Sequence, residues 1–289
     1  MNIVIIYAVI TLSVIGLLSA VILFFIAQKF KVIEDPRIDE VAGLLPGANC
    51  GGCGFAGCRN MAENIVKKES TEGYFCPPGG NDTMKAIAAV FGKVAEDKAP
   101  MIAVVRCNGT CTNAVNKNEY DGLKSCYFMH NLYSGTNGCP YGCLGCGDCV
   151  TACQFDAMYM DDQTGLPVVV QDKCIACGAC VKACPRGIIE LRNKGKKDRR
   201  IFVSCINKEK GAVARKNCEV ACIGCGKCVK ECKFEAITME NNLAYINFEK
   251  CTLCRKCVES CPTGAIREVN FPERKKKDAD TPQEQPANN

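Results

Sequence analysis

The chain has 289 residues, of which 26 are cysteine and one is histidine, and its formal net charge at pH 7 is +5. In a short secreted chain, such a cysteine content would indicate a disulfide scaffold. Here most cysteines lie in runs typical of metal ligands and no cleavable signal pattern precedes them, which favours a reducing compartment. A single histidine, His130, excludes most multi-histidine sites, and the small net charge gives no indication of nucleic-acid binding.

The first predicted element is an apolar helix, because residues 3–27 contain no charged side chain. As a helix this run would be about 37 Å long, enough to cross a hydrocarbon core of roughly 30 Å. A secretory signal peptide is the alternative, but it needs a basic start and a shorter apolar core. Lys29 and Lys31 follow the run. The positive-inside rule therefore predicts that residues 1–28 anchor the chain in the bilayer of the cell membrane, as a single pass, with its bulk in the cytoplasm.

Residues 29–100 are predicted to form a small domain around four cysteines. Cys50, Cys53 and Cys58 lie close together, and Cys76 follows at a distance. Glycines between them allow the backbone to wrap closely and to direct N–H groups towards sulfur. Four thiolates in one compact segment suggest a [4Fe-4S] site. Zinc is the alternative, because C-x2-C also begins zinc folds.

Two runs with the spacing C-x2-C-x2-C-x3-C come next. They are Cys143, Cys146, Cys149 and Cys153, and then Cys174, Cys177, Cys180 and Cys184. This is the bacterial ferredoxin signature, in which the fourth cysteine of each run ligates the cluster of the other run. The crossing assigns one [4Fe-4S] cluster to Cys143, Cys146, Cys149 and Cys184, and another to Cys174, Cys177, Cys180 and Cys153. Zinc and disulfides are less consistent with runs of four.

The same signature recurs further along the chain. Its runs are Cys222, Cys225, Cys228 and Cys232, and then Cys251, Cys254, Cys257 and Cys261. The crossing assigns one cluster to Cys222, Cys225, Cys228 and Cys261, and another to Cys251, Cys254, Cys257 and Cys232. We therefore predict an α+β chain with two tandem ferredoxin modules, at residues 101–191 and 222–269. Strands are expected at 101–106, 166–170 and 243–246, and a short helix should begin between the second and third cysteines of each run.

Six cysteines lie outside these five sets. Four of them precede the first run and form an N-terminal extension of that module: Cys107, Cys111, Cys126 and Cys139. They are either ligands of a sixth iron-sulfur cluster or packed thiols, since their spacing matches no standard run. Cys205 and Cys218 lie between the modules, where two thiols without further partners are more often packed than ligating.

Residues 192–221 are predicted to be a basic insertion between the modules. Residues 192–200 contain six Lys or Arg and one Asp. This charge fits either a solvated loop or a dock for an acidic redox partner or anionic lipid. Residues 270–289 are polar and charged, and we expect a disordered tail there.

Five clusters on one chain predict an electron relay. The sequence contains no glycine-rich nucleotide fingerprint and no flavin or haem signature. We therefore expect no site of substrate chemistry on this chain. A membrane-anchored polyferredoxin that serves a soluble dehydrogenase is an alternative, and a zinc-stabilised interaction protein is another.

Four motifs, at residues 49–58, 76–80, 106–109 and 139–145, accompany the anchor and the tandem modules. Together they resemble the B subunit of the Rnf ion-translocating oxidoreductase (electron transport) complex, over residues 1 to about 268. The resemblance implies a component of a translocase that accepts electrons from reduced ferredoxin. It also implies that other subunits of the complex deliver the electrons to NAD and couple the transfer to Na+ or H+ movement.

Overall fold

The computed structural model describes residues 2–29, 34–133 and 135–273. Its helices are α1 Asn2–Lys29, α2 Arg37–Leu44, α3 Cys58–Lys68, α4 Gly80–Val90, α5 Cys126–Tyr133, α6 Asp148–Thr151, α7 Ala179–Ala183, α8 Gly211–Asn217, α9 Lys227–Glu231 and α10 Lys256–Ser260. Its strands are β1 Met101–Val105, β2 Met158–Asp161, β3 Leu166–Val169, β4 Ile189–Asn193, β5 Arg200–Val203, β6 Ile237–Glu240, β7 Leu243–Ile246 and β8 Ile266–Val269. A short 3-10 turn spans Lys196–Asp198.

Helix α1 is apolar on all sides and none of it is buried against the rest of the described chain. Its large apolar side chains are 44% to 70% exposed, which is unfavourable in water. Its 28 residues are long enough to cross a bilayer. The predicted N-terminal apolar helix is therefore confirmed. Of the two cations used to predict its orientation, Lys29 ends the helix and Lys31 lies outside the described residues.

Helices α2, α3 and α4 pack into a small helical domain. Val41 of α2, Ile65 of α3 and Ile87 of α4 share one core and are fully buried. The buried residues of α3 recur every three to four positions, so one face of the helix points inwards. Cys76 is buried at the edge of this core, which brings it close to the cysteines before and at the start of α3.

The first ferredoxin module consists of two antiparallel strand pairs, β1 with β4 and β2 with β3. The strand before the first cysteine run therefore pairs with the strand after the second run, which closes the module. The strands predicted at 101–106 and 166–170 are confirmed as β1 and β3. Helices α6 and α7 begin between the second and third cysteines of their runs, as predicted.

The second module repeats this architecture, with β5 paired to β8 and β6 paired to β7. Strand β7 lies at the predicted residues 243–246. Residues 192–221 are not a separate insertion, because they contain the end of β4, all of β5 and helix α8. The high charge of this segment predicted a loop, so the sequence did not indicate strand β5. All four residues of β5 are buried, Arg200 included.

Two of the six cations in residues 192–200 are buried instead of solvated. Arg192 is 1% exposed and Arg200 is 6% exposed. The Arg192 guanidinium lies 5.8 Å from the ring centre of Phe202 and 5.1 Å from that of Tyr245, and it donates to Glu190. The exposed cations of the segment are Lys196 and Lys197. Any docking surface here is therefore smaller than the sequence suggested.

The predicted tail also begins later than residue 270. Asn270 donates its side-chain N–H to Gln171 at 2.8 Å and to the carbonyl of Asp198 at 3.1 Å. The Phe271 ring lies 4.9 Å from the guanidinium of Arg255. The folded module therefore extends to Phe271, and the remainder of the predicted tail, residues 274–289, lies outside the described residues.

Candidate iron-sulfur sites

The N-terminal cysteine set, Cys50, Cys53, Cys58 and Cys76, lies at one end of the helical domain. The loop before α3 turns through left-handed backbone at Gly51, where φ is 68°, a conformation that glycine adopts without strain. The Asn49 side-chain oxygen accepts the N–H of Cys58 at 2.8 Å, which holds the start of α3. Burial raises the pKa of the Cys76 thiol, and the charges of the other three cysteines add to the shift. The four thiols therefore share one site.

Three cavities in the ferredoxin modules are lined by three cysteines of one run and the fourth cysteine of the other run. In the second module, one cavity is lined by Cys222, Cys225, Cys228 and Cys261, and the other by Cys251, Cys254, Cys257 and Cys232. In the first module, one cavity is lined by Cys174, Cys177, Cys180 and Cys153. The structure thus places these twelve cysteines in the groups expected from the crossing of the two runs.

The fourth module cavity departs from the grouping that the spacing predicts. Its cysteines are Cys126, Cys143, Cys149 and Cys184. Cys146, the predicted member, does not line it. The Cys146 thiol lies beside Cys126 and contacts the carbonyl oxygen of Leu144 at 3.7 Å.

Helix α5 carries Cys126 to this cavity, and one carboxylate holds the helix start. Asp148 accepts the N–H of Tyr127 at 3.1 Å and the hydroxyl of Ser125 at 2.9 Å. Such a carboxylate satisfies free N–H groups at a helix N-terminus. Because Asp148 lies directly before Cys149, this contact joins the two cysteine-bearing elements. The spacing of cysteines alone could not indicate it.

The four cysteines considered for a sixth cluster, Cys107, Cys111, Cys126 and Cys139, do not form one group. Cys126 belongs to the cavity just described. Cys111 is exposed and its sulfur lies near Gly165. Cys107 and Cys139 instead line another cavity, together with Cys205 and Cys218. Contacts between the two modules, such as the hydrogen bond from Arg106 Nε to the carbonyl oxygen of Val203 at 3.3 Å, bring these distant segments together. The spacing of cysteines in the sequence does not show such contacts.

Burial dominates the chemistry of the thiols in these cavities. It raises the pKa of Cys180 and of Cys257 to about 12, and neighbouring cysteines add to both shifts. A free thiolate is therefore unfavourable at neutral pH, and a metal must displace the proton to bind.

The donor sets fit iron-sulfur clusters better than single ions. Within the described ranges, no group of three or more His, Cys, Asp or Glu side chains converges closely enough to hold one metal ion. On a single zinc ion all four thiolates must reach the same atom at about 2.3 Å. On a [4Fe-4S] cluster each of the four thiolates binds its own iron, which needs a wider arrangement. Each module cavity is lined by four cysteines, and this number of thiolates suits the cluster.

Known protein families match three parts of the chain. The family described as "4Fe-4S dicluster domain" matches residues 142–188, and a second family of the same description matches residues 221–266. The family described as "Putative Fe-S cluster" matches residues 45–78. These matches cover the N-terminal cysteine set and both modules, and they support [4Fe-4S] clusters as the cofactors of the chain.

Several curated proteins are similar over most of the chain. The chain is 44% identical over 255 residues to the B subunit of the Na(+)-translocating ferredoxin:NAD(+) oxidoreductase complex of Acetobacterium woodii, covering 88% of this chain and 75% of that one. It is 44% identical over 262 residues to the proton-translocating counterpart of Clostridium ljungdahlii, covering 90% and 91%. It is 41% identical over 266 residues to the B subunit of the ion-translocating oxidoreductase complex of Methanosarcina acetivorans, covering 92% and 99%.

Proposed function

Because the chain belongs to the family of B subunits of ion-translocating ferredoxin:NAD(+) oxidoreductase complexes, we propose that it is the electron-input component of such a complex. It is a membrane-associated electron-transfer subunit, and its partners are the other subunits. In this proposal it accepts electrons from reduced ferredoxin and relays them inwards. The complex then reduces NAD and couples the transfer to movement of Na+ or H+.

Five [4Fe-4S] clusters carry the relay in this proposal. The N-terminal cysteine set holds one cluster and each ferredoxin module holds two. When bound, such clusters accept and release single electrons at potentials tuned by burial and by hydrogen bonds to sulfur. The protein holds the thiolates, keeps most of them half-buried or buried, and directs N–H groups to sulfur. Helix α1 anchors this relay in the cell membrane, and Lys29 favours a cytoplasmic position for the modules.

The observation that carries the proposal is that the cysteine sites adjoin one another. A Cβ atom on Gly52, next to Cys53 of the N-terminal set, would come within 3.0 Å of the Cys177 Cα in the first module. Burial also raises the pKa of Cys177, and the nearby charge of Cys50 adds to that shift. Burial likewise raises the pKa of Cys180, with a contribution from Cys149 in the next cavity. Neighbouring sites therefore interact from the N-terminal set into the first module. Such an arrangement suits stepwise electron transfer.

Anaerobic purification of the full chain with its membrane partners tests the proposal. We expect integral membrane subunits to co-purify, at least about twenty iron atoms and as much acid-labile sulfide per chain, and bleaching of the visible absorbance by reduced ferredoxin. Absence of iron would overturn the proposal. Co-purification with a soluble dehydrogenase alone would favour the polyferredoxin alternative instead.

A further inference from the structure

We propose that Cys107, Cys139, Cys205 and Cys218 hold a further iron-sulfur cluster, between the two ferredoxin modules. This inference extends the proposed electron relay and rests on it only for the direction of electron flow. The four cysteines line one cavity, and each is buried, with 7% to 9% of its surface exposed. None of them belongs to the five sets assigned above.

The two modules contribute equivalent cysteines to this cavity. Cys107 lies two residues after β1, and Cys205 lies two residues after the corresponding strand β5. Cys139 precedes the first cysteine of its module by four positions, and Cys218 does the same in the second module. The site therefore combines a matching pair of positions from each repeat.

Hydrogen-bond donors point at these sulfur atoms. The Cys107 sulfur accepts the N–H of Cys143 at 3.4 Å, and the Cys205 sulfur accepts the N–H of Asn207 at 3.5 Å. The Asn207 side chain donates to the Cys139 sulfur at 3.4 Å. Asn207 is fully buried. Donors of this kind stabilise the charge on cluster thiolates and tune the potential.

The loop of the first module that follows Cys107 is fastened to the second module beside this cavity. Ala114 forms an isolated bridge with Cys218. On either side, Val115 donates its N–H to the carbonyl of Asn217 at 3.1 Å, and Glu219 donates to that of Asn113 at 2.9 Å. These contacts order a loop without strands of its own, so they pre-organise the cavity.

The position of the cavity suits an electron relay. Cys143, which donates to Cys107, lines a cavity of the first module. The backbone of Cys222, which lines a cavity of the second module, hydrogen-bonds to the Cys205 thiol. A cluster here would therefore lie between those two. The cluster of one module would lose one electron to this cluster and so be oxidised. This cluster would be reduced, and it would then pass the electron to the cluster of the other module, with no proton or covalent bond transferred.

The test measures metal content of the anaerobically purified full chain and of two variants, Cys205→Ala and Cys218→Ala. Each variant should lose about four iron atoms and about four sulfides per chain relative to wild type. Cys111→Ala is the matched control, because Cys111 is exposed and lines none of the cavities described, and its iron content should not change. Electron paramagnetic resonance should show the loss of one cluster signal with the others retained.

Three results would overturn the inference while leaving the five-cluster relay intact. These are unchanged iron in both variants, one zinc per chain that both variants lose, or a disulfide among the four cysteines of the wild-type protein. If wild type contains no iron, the proposed function fails as well.

A variant that retains all four cysteines tests the inference if the cysteine variants do not fold. Asn207→Leu removes the donor to the Cys139 sulfur and retains all four thiols. We expect full iron content and a lower reduction potential for one cluster only, since a lost N–H donor destabilises the more negative reduced form. Unchanged potentials for all clusters would count against the site.

Discussion

Gly52 lies directly against the backbone of Cys177. A Cβ atom on Gly52 would come within 2.9 Å of the Cys177 carbonyl oxygen and 3.0 Å of its Cα. This contact joins the N-terminal cysteine set to the first ferredoxin module, between two cysteines proposed as ligands of different clusters. Only glycine fits here without displacement of backbone.

Gly52→Ala should therefore separate the two sites slightly. Overpacking of this kind typically costs about 1–3 kcal/mol, and we expect slower electron transfer from the N-terminal cluster into the first module. Thermal unfolding and freeze-quench magnetic resonance measure the two effects. Gly43→Ala is the control, because a Cβ there meets nothing within 4 Å. Equal behaviour of the two variants would show that the contact is unimportant.

The Cys146 thiol lies beside Cys126, which lines a cavity of the first module. Because Cys126 lines that cavity and Cys146 does not, we expect Cys126→Ala to lose about four iron atoms and Cys146→Ala to keep them. Iron analysis of the paired variants decides between them. The reverse result would restore the ligand set predicted from spacing.

Cys261→Ala should damage the cluster on the other cysteine run. Cys261 lines one cavity together with Cys222, Cys225 and Cys228. Removal of its thiolate leaves the proposed cluster there with three protein ligands. Magnetic spectra should lose this signal and retain that of the neighbouring cluster. Cys232→Ala, which removes the corresponding thiol of the other cavity, should give the opposite pattern. Identical losses in the two variants would contradict the crossing.

Lys196 and Lys197 are the exposed remainder of the basic segment. If they assist docking of an acidic ferredoxin, Lys196→Gln/Lys197→Gln should lower the second-order rate of reduction by several-fold at low salt and weaken its salt dependence. Lys67→Gln/Lys68→Gln removes the same charge from another exposed site and should leave the rate unchanged. Stopped-flow reduction at several salt concentrations measures both. If reduction of the Lys67→Gln/Lys68→Gln variant were slowed instead, the ferredoxin-binding surface would lie on the N-terminal domain.

The cysteine runs and the apolar helix were readable from the sequence because both are local. Ligand spacing of two or three residues and an uninterrupted apolar stretch need no knowledge of the rest of the fold. For the same reason, the short strand of Leu166–Val169 and the helices that begin inside the runs lay where the sequence predicted them.

Contacts between residues distant in sequence determined the features that the sequence did not predict. Charge predicted a basic insertion, yet the pairing of β5 with β8 buries Arg200. The Arg192 guanidinium lies 5.1 to 5.8 Å from three aromatic ring centres, those of Phe202, Tyr245 and Phe248. Cys107 and Cys205 are distant in sequence, and contacts between the two modules bring them together: Arg106, next to Cys107, donates to the carbonyl oxygens of Val203 and Cys205. The repeat of positions in the two modules was present in the sequence. Only the tertiary structure shows that the cysteines at these repeated positions line one cavity, because burial and proximity depend on the packing of the whole chain.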